Sequence, residues 1–578
     1  MSSKTEYSVP FEAKALFEDG ILTNPLHKSL PPQLAGLAKN VKFEGSAKPS
    51  IPINWRFAES ISALKAFEAT MLNYLIISKY NAEPSNVTIN TDHATLFIMS
   101  LLVSKLLKDG KPAAIDLFSP EMARIFPNGD LHRSLEGYHR ILATNIYKTK
   151  DDRYYHIHGS MNPDQTLTAL GLPLFGEKDD TYETVIARLQ AKVAQFTAAE
   201  LDQMMNEQYK QAGTVAWTSE EYFASEQGRA NSHVGLYDIS RVEGPASKQP
   251  ASWWPENESL PSSPKRPLAG LKVVDLCRVI AGPAITRGLA EMGASVMRIT
   301  SAQLTDLSPT HHDLNWGKWN ANLHLKDEGD KEKLRALIRE ADVVVDGYRP
   351  GVMERLGFGR QAVLDLVKDR ERGIIYAREN CYGWHGPWSH RSGWQQISDA
   401  CCGVSYTYSK AMGNEGFEAV TPVFPNSDYC TGVAGSAAIL EALVRRSQEG
   451  GSYFVDVALN YYSQWLVRSC GTYPEEVWQE LWQRHGSPAF RHYHAMQHTV
   501  PAMMKSIAEH DAATLLNPAF FQPMHARHLG VTFIRPKPIA QFEGNMTELK
   551  FHVGTRGNGI DQPVWPKDLT VEVVTGEN

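Results

Sequence analysis

Three groups of residues in the later half of the chain have types and spacings that could do chemistry. His492, His494 and His498 lie close together, the last two one helical turn apart. No carboxylate or cysteine completes a recognisable ligand set around them, so no metal site is expected. Trp384, Trp388 and Trp394 crowd one loop and could wall an apolar pocket, although tryptophans so placed serve simple packing as often. Asp428 stands ahead of a helix expected to begin near Gly432, and an aspartate in that place is ordinarily an N-cap for free backbone N–H groups. On its residues alone, Asp428 reads as that cap.

The elements that must position these residues are legible from periodicity. Leu271 to Leu276 is a short apolar run of the buried-strand kind. A helix from about Ala284 to Met292 and a second strand over Ser295 to Ile299 follow it. Ala341 to Asp346 and Gly373 to Ala377 supply further strands, so an open parallel, Rossmann-like α/β sheet is expected over 268–380. The first turn, Arg278 to Pro283, lacks GxGxxG, which disfavours a nicotinamide or flavin site. Earlier in the chain, Ala143 to Gly159 alternates around Lys150-Asp151-Asp152 and predicts a hairpin, within a smaller α+β unit. Residues 250–267, rich in proline and serine, form the clearest linker.

At 578 residues the chain exceeds one core, and its composition is that of a soluble globular protein. A net charge of -7 argues against nucleic acid as the main partner. The longest apolar stretch, Phe97 to Leu107, is too short and too interrupted to span a membrane. Six cysteines without a CxxC pair fit a reducing compartment, and the first residues lack an apolar leader, so the cytoplasm is expected. The chain is expected to divide into an extended N-terminal arm (1–50), a segment with the small domain (51–249), the linker (250–267), the main α/β segment (268–472) and a C-terminal extension (473–578). An internal echo, Ala66 to Leu72 over Ala434 to Leu440, also lays Val87-Thr88-Ile89 over Val455-Asp456-Val457 at the same offset. A helix–strand–helix unit that occurs twice is expected from this; the alternative is two similar amphipathic helices that each happen to precede a strand.

The run Arg266 to Ile299 resembles the opening of class III CoA-transferases, the CaiB/BaiF family. Ordered matches follow in Asn315-Trp316-Gly317-Lys318, ADVVVDGYRPGVMERLGF, Tyr382 to Pro387, Ser392-Gly393-Trp394 and Pro425 to Gly432. The hairpin, Gly171-Leu172-Pro173 and Thr218-Ser219-Glu220-Glu221 resemble the family's small domain. The chain thus looks like a family member with its later half placed before its earlier half. The resemblance implies a CoA-transferase that moves CoA from an acyl-CoA thioester to a carboxylic acid, with Asp428 as nucleophile. An aspartate, ionised at neutral pH, can attack a thioester without an activating base. Backbone N–H groups at the start of the following helix are expected to hold the oxyanion. At the echo's offset of 368, Asp428 falls on Ser60, so one nucleophile per chain is implied.

The resemblance also implies a CoA groove along Val279, Ala281, Leu323, Gly347, Tyr348 and Arg355. Arg355 is the favoured phosphate partner, or otherwise a solvated helix charge. It implies no metal and no permanently bound cofactor; acyl-CoA and an acid acceptor are the partners, and a small dicarboxylic acid would face Arg391 and Arg355. Family members form interlocked homodimers, which fused halves could instead satisfy within one chain. Departures are visible. Arg298 stands for a usual lysine and Ser301 for an arginine, so adenine-side contacts are expected to differ. Trp394 and Gln395 occupy the place of a racemase's histidine, which disfavours the alternative of an acyl-CoA epimerase or racemase, with His385 and His390 as the substitutes to test. No glycine-rich covering loop appears between Asp109 and Ala143; Pro127-Asn128-Gly129-Asp130 is the nearest run. A non-catalytic CoA-binding homologue is the remaining alternative.

Overall fold

The computed structural model describes residues 6–244 and 247–576. The extreme ends of the chain, which carry part of the expectation about targeting signals, lie outside the described residues. Strands β1 (Lys272–Leu276), β2 (Ser295–Thr300), β3 (Lys318–Asn322), β4 (Val343–Asp346), β5 (Ile375–Asn380) and β6 (Tyr453–Ala458) form a parallel sheet in the order β3-β2-β1-β4-β5-β6. The strand Asp238–Arg241 adds antiparallel to the β6 edge. β2 and β4 are buried at every position, so their sequences show no in–out alternation, and even Arg298 of β2 is buried. The strand order reverses between β1 and β4. In a sheet wound this way, the crevice at the carboxyl ends of those two strands is where a ligand fits.

Four helices frame that crevice or buttress its walls: α1 (Phe57–Tyr80), α2 (Ala281–Glu291), α3 (Gln395–Cys401) and α4 (Asn426–Glu449). α1 and α4 are each 24 residues long, and both are buried along most of their length between neighbouring elements. Neither therefore shows a clean amphipathic stripe. They cross where the Ser436 hydroxyl donates to the Glu68 carboxylate, two residues 368 positions apart in the chain. That is the echo's own offset, so equivalent positions of the repeated unit meet. Ser60 is buried inside α1, its hydroxyl bonded to Phe57 O (3.0 Å) and paired with the Tyr462 hydroxyl (2.9 Å).

α4 reaches the sheet's carboxyl end by lying close on α2. A Cβ on Gly432 would stand 2.5 Å from Ala284 Cβ and 3.3 Å from Ala281 O. Gly432→Ala is accordingly expected to cost about 1–3 kcal/mol by forcing the two helices apart, read as a lower midpoint in urea denaturation.

The small domain holds an antiparallel sheet of Asn145–Lys148, Tyr154–Ile157 and Gly213–Val215, with its own apolar core. The helices Tyr182–Val193 and Ala198–Asp202 pack there. The C-terminal extension ties the ends of the chain together. Its strand Val531–Pro536 pairs with Lys105–Lys108, and Ala540–Phe542 pairs with Val87–Asn90. The N-terminal segment is not an extended arm. Val9–Phe17 is a helix that buries Val9, Ala13, Leu16 and Phe17, and its short length hid the period. Residues 250–267 carry no helix or strand, yet Trp254 is buried and its Nε1 donates to Ala269 O (2.9 Å). No helix among the described residues is long and apolar enough to cross a membrane.

Candidate active site

Asp428 is in the first turn of α4, which begins at Asn426, not near Gly432. The residue at the cap position is Pro425, which makes no side-chain cap bond, so Asp428 is not an N-cap. Pro425 sets the start because it tolerates a helix's first positions and blocks continuation upstream. The expected geometry, with the carboxylate ahead of the helix and facing its N-terminus, is therefore corrected. The helix start that lies in the cleft with Asp428 is that of α2, at Ile280 and Ala281.

The Asp428 carboxyl lines a cleft of about 240 Å³ and is half-buried. Among the described residues no hydrogen bond or ion pair reaches it, and burial pushes it up to about 7. The turn after β1 supplies Arg278 to Ala281, the turn after β4 supplies Gly347 to Pro350, and β5 ends in the cleft with Glu379 and Asn380. The opposite wall is the small domain's loop at Ser160, Met161 and Asn162, together with Trp394. Two non-glycine residues of the cleft lining have left-handed backbones, Val279 (φ 71°) in the turn after β1 and Ser160 (φ 51°) in the small-domain wall. For a β-branched valine this is a strained conformation that the packing around it must hold.

The small-domain wall is fixed by side chains. Trp394 Nε1 donates to Ser160 Oγ (3.0 Å), and its indole stacks on His158 at 5.4 Å. His158 Nδ1 accepts from Ser160 N (2.8 Å), and burial holds the ring neutral, well below its usual pKa. Gln211 accepts from the Ser160 hydroxyl (2.7 Å) and donates to Gly159 O and Asn162 O. Arg349, at the rim after β4, reaches across to Lys210 O (3.0 Å) and Gln211 Oε1 (3.3 Å).

A second cavity of about 320 Å³ adjoins the first and shares Gln303, Leu304 and Tyr348 with it. Leu323, Arg355 and Ser301 line it, with Lys326 at its rim. Of the groove residues anticipated from the sequence, Val279, Ala281 and Gly347 lie with Asp428, Leu323 and Arg355 line the second cavity, and Tyr348 touches both. The two cavities thus adjoin, Asp428 and Glu379 lining the first and Arg355 and Lys326 the second.

Other expectations change. Arg391 lines the Asp428 cleft, but its charge is already paired with Asp202 (3.0 Å) and Glu207 (3.0 Å), so it is not a free anchor for an acid. Arg355 is in the neighbouring cavity rather than beside Asp428. Arg278, not singled out from sequence for its side chain, lies over the Tyr348 ring at 5.0 Å and donates to Thr305 O. His385 faces Asp238 (3.7 Å) and His390 faces Glu207 (3.1 Å); neither lines the cleft. Pro127-Asn128-Gly129-Asp130 docks on the cleft edge, with Gly129 N on Ser308 Oγ (2.8 Å), and brings His132 into the lining. Of the three tryptophans only Trp394 lines the cleft; Trp384 lies under Arg378 and Trp388 against Arg391. His492 pairs with Glu418 (2.8 Å), and His494 stacks on His498 at 4.2 Å.

Residues 268–512 match the family model of CoA-transferase family III. Over 578 residues the chain is 58% identical to "Acetyl-coenzyme A transferase nodX" of Hypoxylon pulicicidum, covering 100% of this chain and 97% of that protein. It is 32% identical over 463 residues to an "Acyl-CoA transferase" of Gibberella moniliformis, 78% of each protein. A solved CAIB/BAIF family protein from Brucella suis matches with a TM-score of 0.30 and 24% identity, over 34% of this chain and 55% of that one.

Proposed function

We propose that this chain, which belongs to CoA-transferase family III, passes CoA from an acyl thioester to a carboxylic acid through covalent intermediates on Asp428. The observation that carries the assignment of the nucleophile is a half-buried carboxylate lining the cleft that, among the described residues, no hydrogen bond or ion pair reaches. A carboxylate used only for structure would have a cation or a ring of donors around it.

The adjoining cavities suit a CoA ester lying with its adenine end in the cavity of Leu323 and Arg355. The pantetheine then passes Tyr348 and the thioester faces Asp428. Arg355 and Lys326 offer phosphate partners in the second cavity, and Arg278 and Arg349 do so in the Asp428 cleft. An Asp428 oxygen attacks the thioester carbonyl; the C–O bond forms, the C–S bond breaks, and CoA leaves as thiolate with a mixed anhydride on the enzyme. The thiolate attacks the aspartyl carbonyl and releases the donor acid as its carboxylate. The acceptor carboxylate then attacks the aspartyl thioester, and the freed thiolate takes the acceptor's acyl group, restoring Asp428. No net proton is consumed, so no histidine base is required.

The 58% identity to a protein named for acetyl-CoA supports acetyl-CoA as donor. The meeting of Glu68 and Ser436 at the repeat offset supports a chain whose own halves satisfy the interface that two subunits would otherwise share. Incubation with acetyl-CoA followed by hydroxylamine is the test: a hydroxamate in the peptide carrying Asp428, found by mass spectrometry, is the expected result. α-Proton exchange in the acyl group without that peptide would support an epimerase instead.

A further inference from the structure

Asp428 is not the only carboxyl in its cleft. Glu379, at the carboxyl end of β5, lines the same cavity and is half-buried there. Among the described residues no hydrogen bond or ion pair reaches its carboxyl group. The charged groups that face it are Asp428 from α4 and Asp346 from β4, both acidic, and Cys381 stands just past the end of its strand. Across β6 its register partner is the apolar Val457. The guanidiniums of Arg278 and Arg349 are in the same lining but are bonded to Thr305 O and to Lys210 and Gln211. Two carboxyls that share one low-dielectric cavity, neither of them paired with a cation among the described residues, cannot both ionise cheaply. Asp428 is in the first turn of a 24-residue helix, where the backbone dipole favours an anion; Glu379 ends a strand and has no such help. The proton therefore resides on Glu379.

We propose that Glu379 is a second catalytic residue of this site: a carboxylic acid that donates a hydrogen bond to the acyl oxygen as Asp428 attacks. This rests on the assignment of Asp428 as nucleophile. The thioester carbon is bonded by Asp428 while its oxygen takes the electron pair. The Glu379 O–H and the free N–H groups at the start of α2 are the donors on hand for that oxygen. The proton stays with Glu379 and the hydrogen bond shortens as charge grows, so the balance of the transfer is unchanged. The same donor serves the tetrahedral species formed when thiolate or acceptor carboxylate attacks. Burial, with the Asp428 charge added, pushes Glu379 up to about 8, which keeps it protonated at neutral pH. Above that pH a second anion would stand beside the reacting centre and repel both the oxyanion and the incoming carboxylate. Asp399 on α3, buried and hydrogen-bonded by Gln395, is likewise pushed up to about 8, but it is not part of the cleft lining.

The test is a pH–rate profile of the full-length enzyme with acetyl-CoA and an organic acid acceptor, for wild type, E379Q, E379A and D399N. The wild-type kcat should fall on the alkaline side near pH 8. E379Q, a neutral donor that cannot ionise, should lose that alkaline limb and be more active than E379A. E379A should lose about 10- to 100-fold in kcat at neutral pH with a smaller change in KM for acetyl-CoA, as when one oxyanion donor is removed. D399N should keep the alkaline limb. The proposal is overturned if E379A keeps wild-type kcat, if E379Q retains the limb, or if D399N abolishes it. Should E379A fail to fold, the E379Q limb decides alone. Hydroxylamine trapping on wild type separates the two claims. Without a trapped Asp428 peptide the nucleophile assignment fails; with one, and with Glu379 variants that behave as wild type, only this inference fails.

Discussion

Asp428→Asn should stop CoA transfer, lowering kcat by at least about 10³-fold, while CoA affinity stays within a few-fold. The amide keeps the shape of the carboxyl but cannot form an anhydride. No described side chain holds Asp428, so nothing else is unmade by the change. The same variant should be more stable than wild type, by an amount that grows with pH. In the folded chain the carboxyl titrates at about 7, whereas in the unfolded chain it titrates near the ordinary aspartate value of about 3.9. Between those values the folded state holds a proton that the unfolded state has lost, so wild-type stability falls as pH rises through that window. Asparagine has no such term. Thermal melts of the two proteins at pH 5 and pH 8 check this: the gap in melting temperature should widen at the higher pH. A gap that stays constant, with activity retained, would mean that Asp428 is neither buried nor the nucleophile. The coupling of lost activity to gained stability is the signature of a site that tolerates an unfavourable buried charge for its chemistry.

Asp313→Ala should be the most destabilising single change, on the order of 3–5 kcal/mol, because it leaves buried guanidiniums without their counter-ion. Asp313 accepts from Arg287 Nη1 (2.5 Å), Tyr429 Oη (2.7 Å), Ser100 Oγ (2.8 Å) and Arg535 Nη2 (3.2 Å). Those partners come from α2, from α4 beside Asp428, from the short helix Ser100–Val103 of the 51–249 segment and from the C-terminal extension. One carboxylate thus joins four separate segments of the chain around the first turn of α4. Burial alone would raise its pKa; Arg287 and Arg535 more than offset this and hold it down at about 2. The sign is opposite to that of Asp428. This group stabilises the fold above the ordinary aspartate range, and that contribution is lost as pH falls toward 2. Urea denaturation should show the loss for Asp313→Ala at neutral pH, with a smaller one for Asp313→Asn. A variant as stable as wild type would show that the ends of the chain are held by other contacts.

The parallel sheet is legible in the sequence because strands buried on both faces concentrate apolar residues in short stretches, as in Val273-Val274, Val296-Met297 and Val343-Val344-Val345. β1, β2, β4 and β5 lie within a few residues of the runs Leu271 to Leu276, Ser295 to Ile299, Ala341 to Asp346 and Gly373 to Ala377. The hairpin of the small domain was legible for the complementary reason, a half-buried alternation around a turn. The start of α4 was misjudged because its first residues, Asn426-Ser427-Asp428, are equally at home in a cap or a turn; only the packing of Gly432 on α2 extends the helix over them. The helix Val9–Phe17 was missed because nine residues between proline-bearing stretches carry too little period to register.

The chemical types in the candidate site were set by the chain itself: a carboxylate after Pro425-Asn426-Ser427, a turn after β1 without a dinucleotide fingerprint, and a run from Gly347 to Arg355 rich in cations. Which of them act together was decided by tertiary structure. Sequence spacing carries no sign that Glu379, 49 positions before Asp428, shares its cavity, that Arg391 is already neutralised by Asp202 and Glu207, or that Trp394 rests on His158. Burial and charge pairing depend on neighbours hundreds of residues away. The same aspartate can be a cap, a salt-bridge partner or a nucleophile until the fold determines what stands beside it.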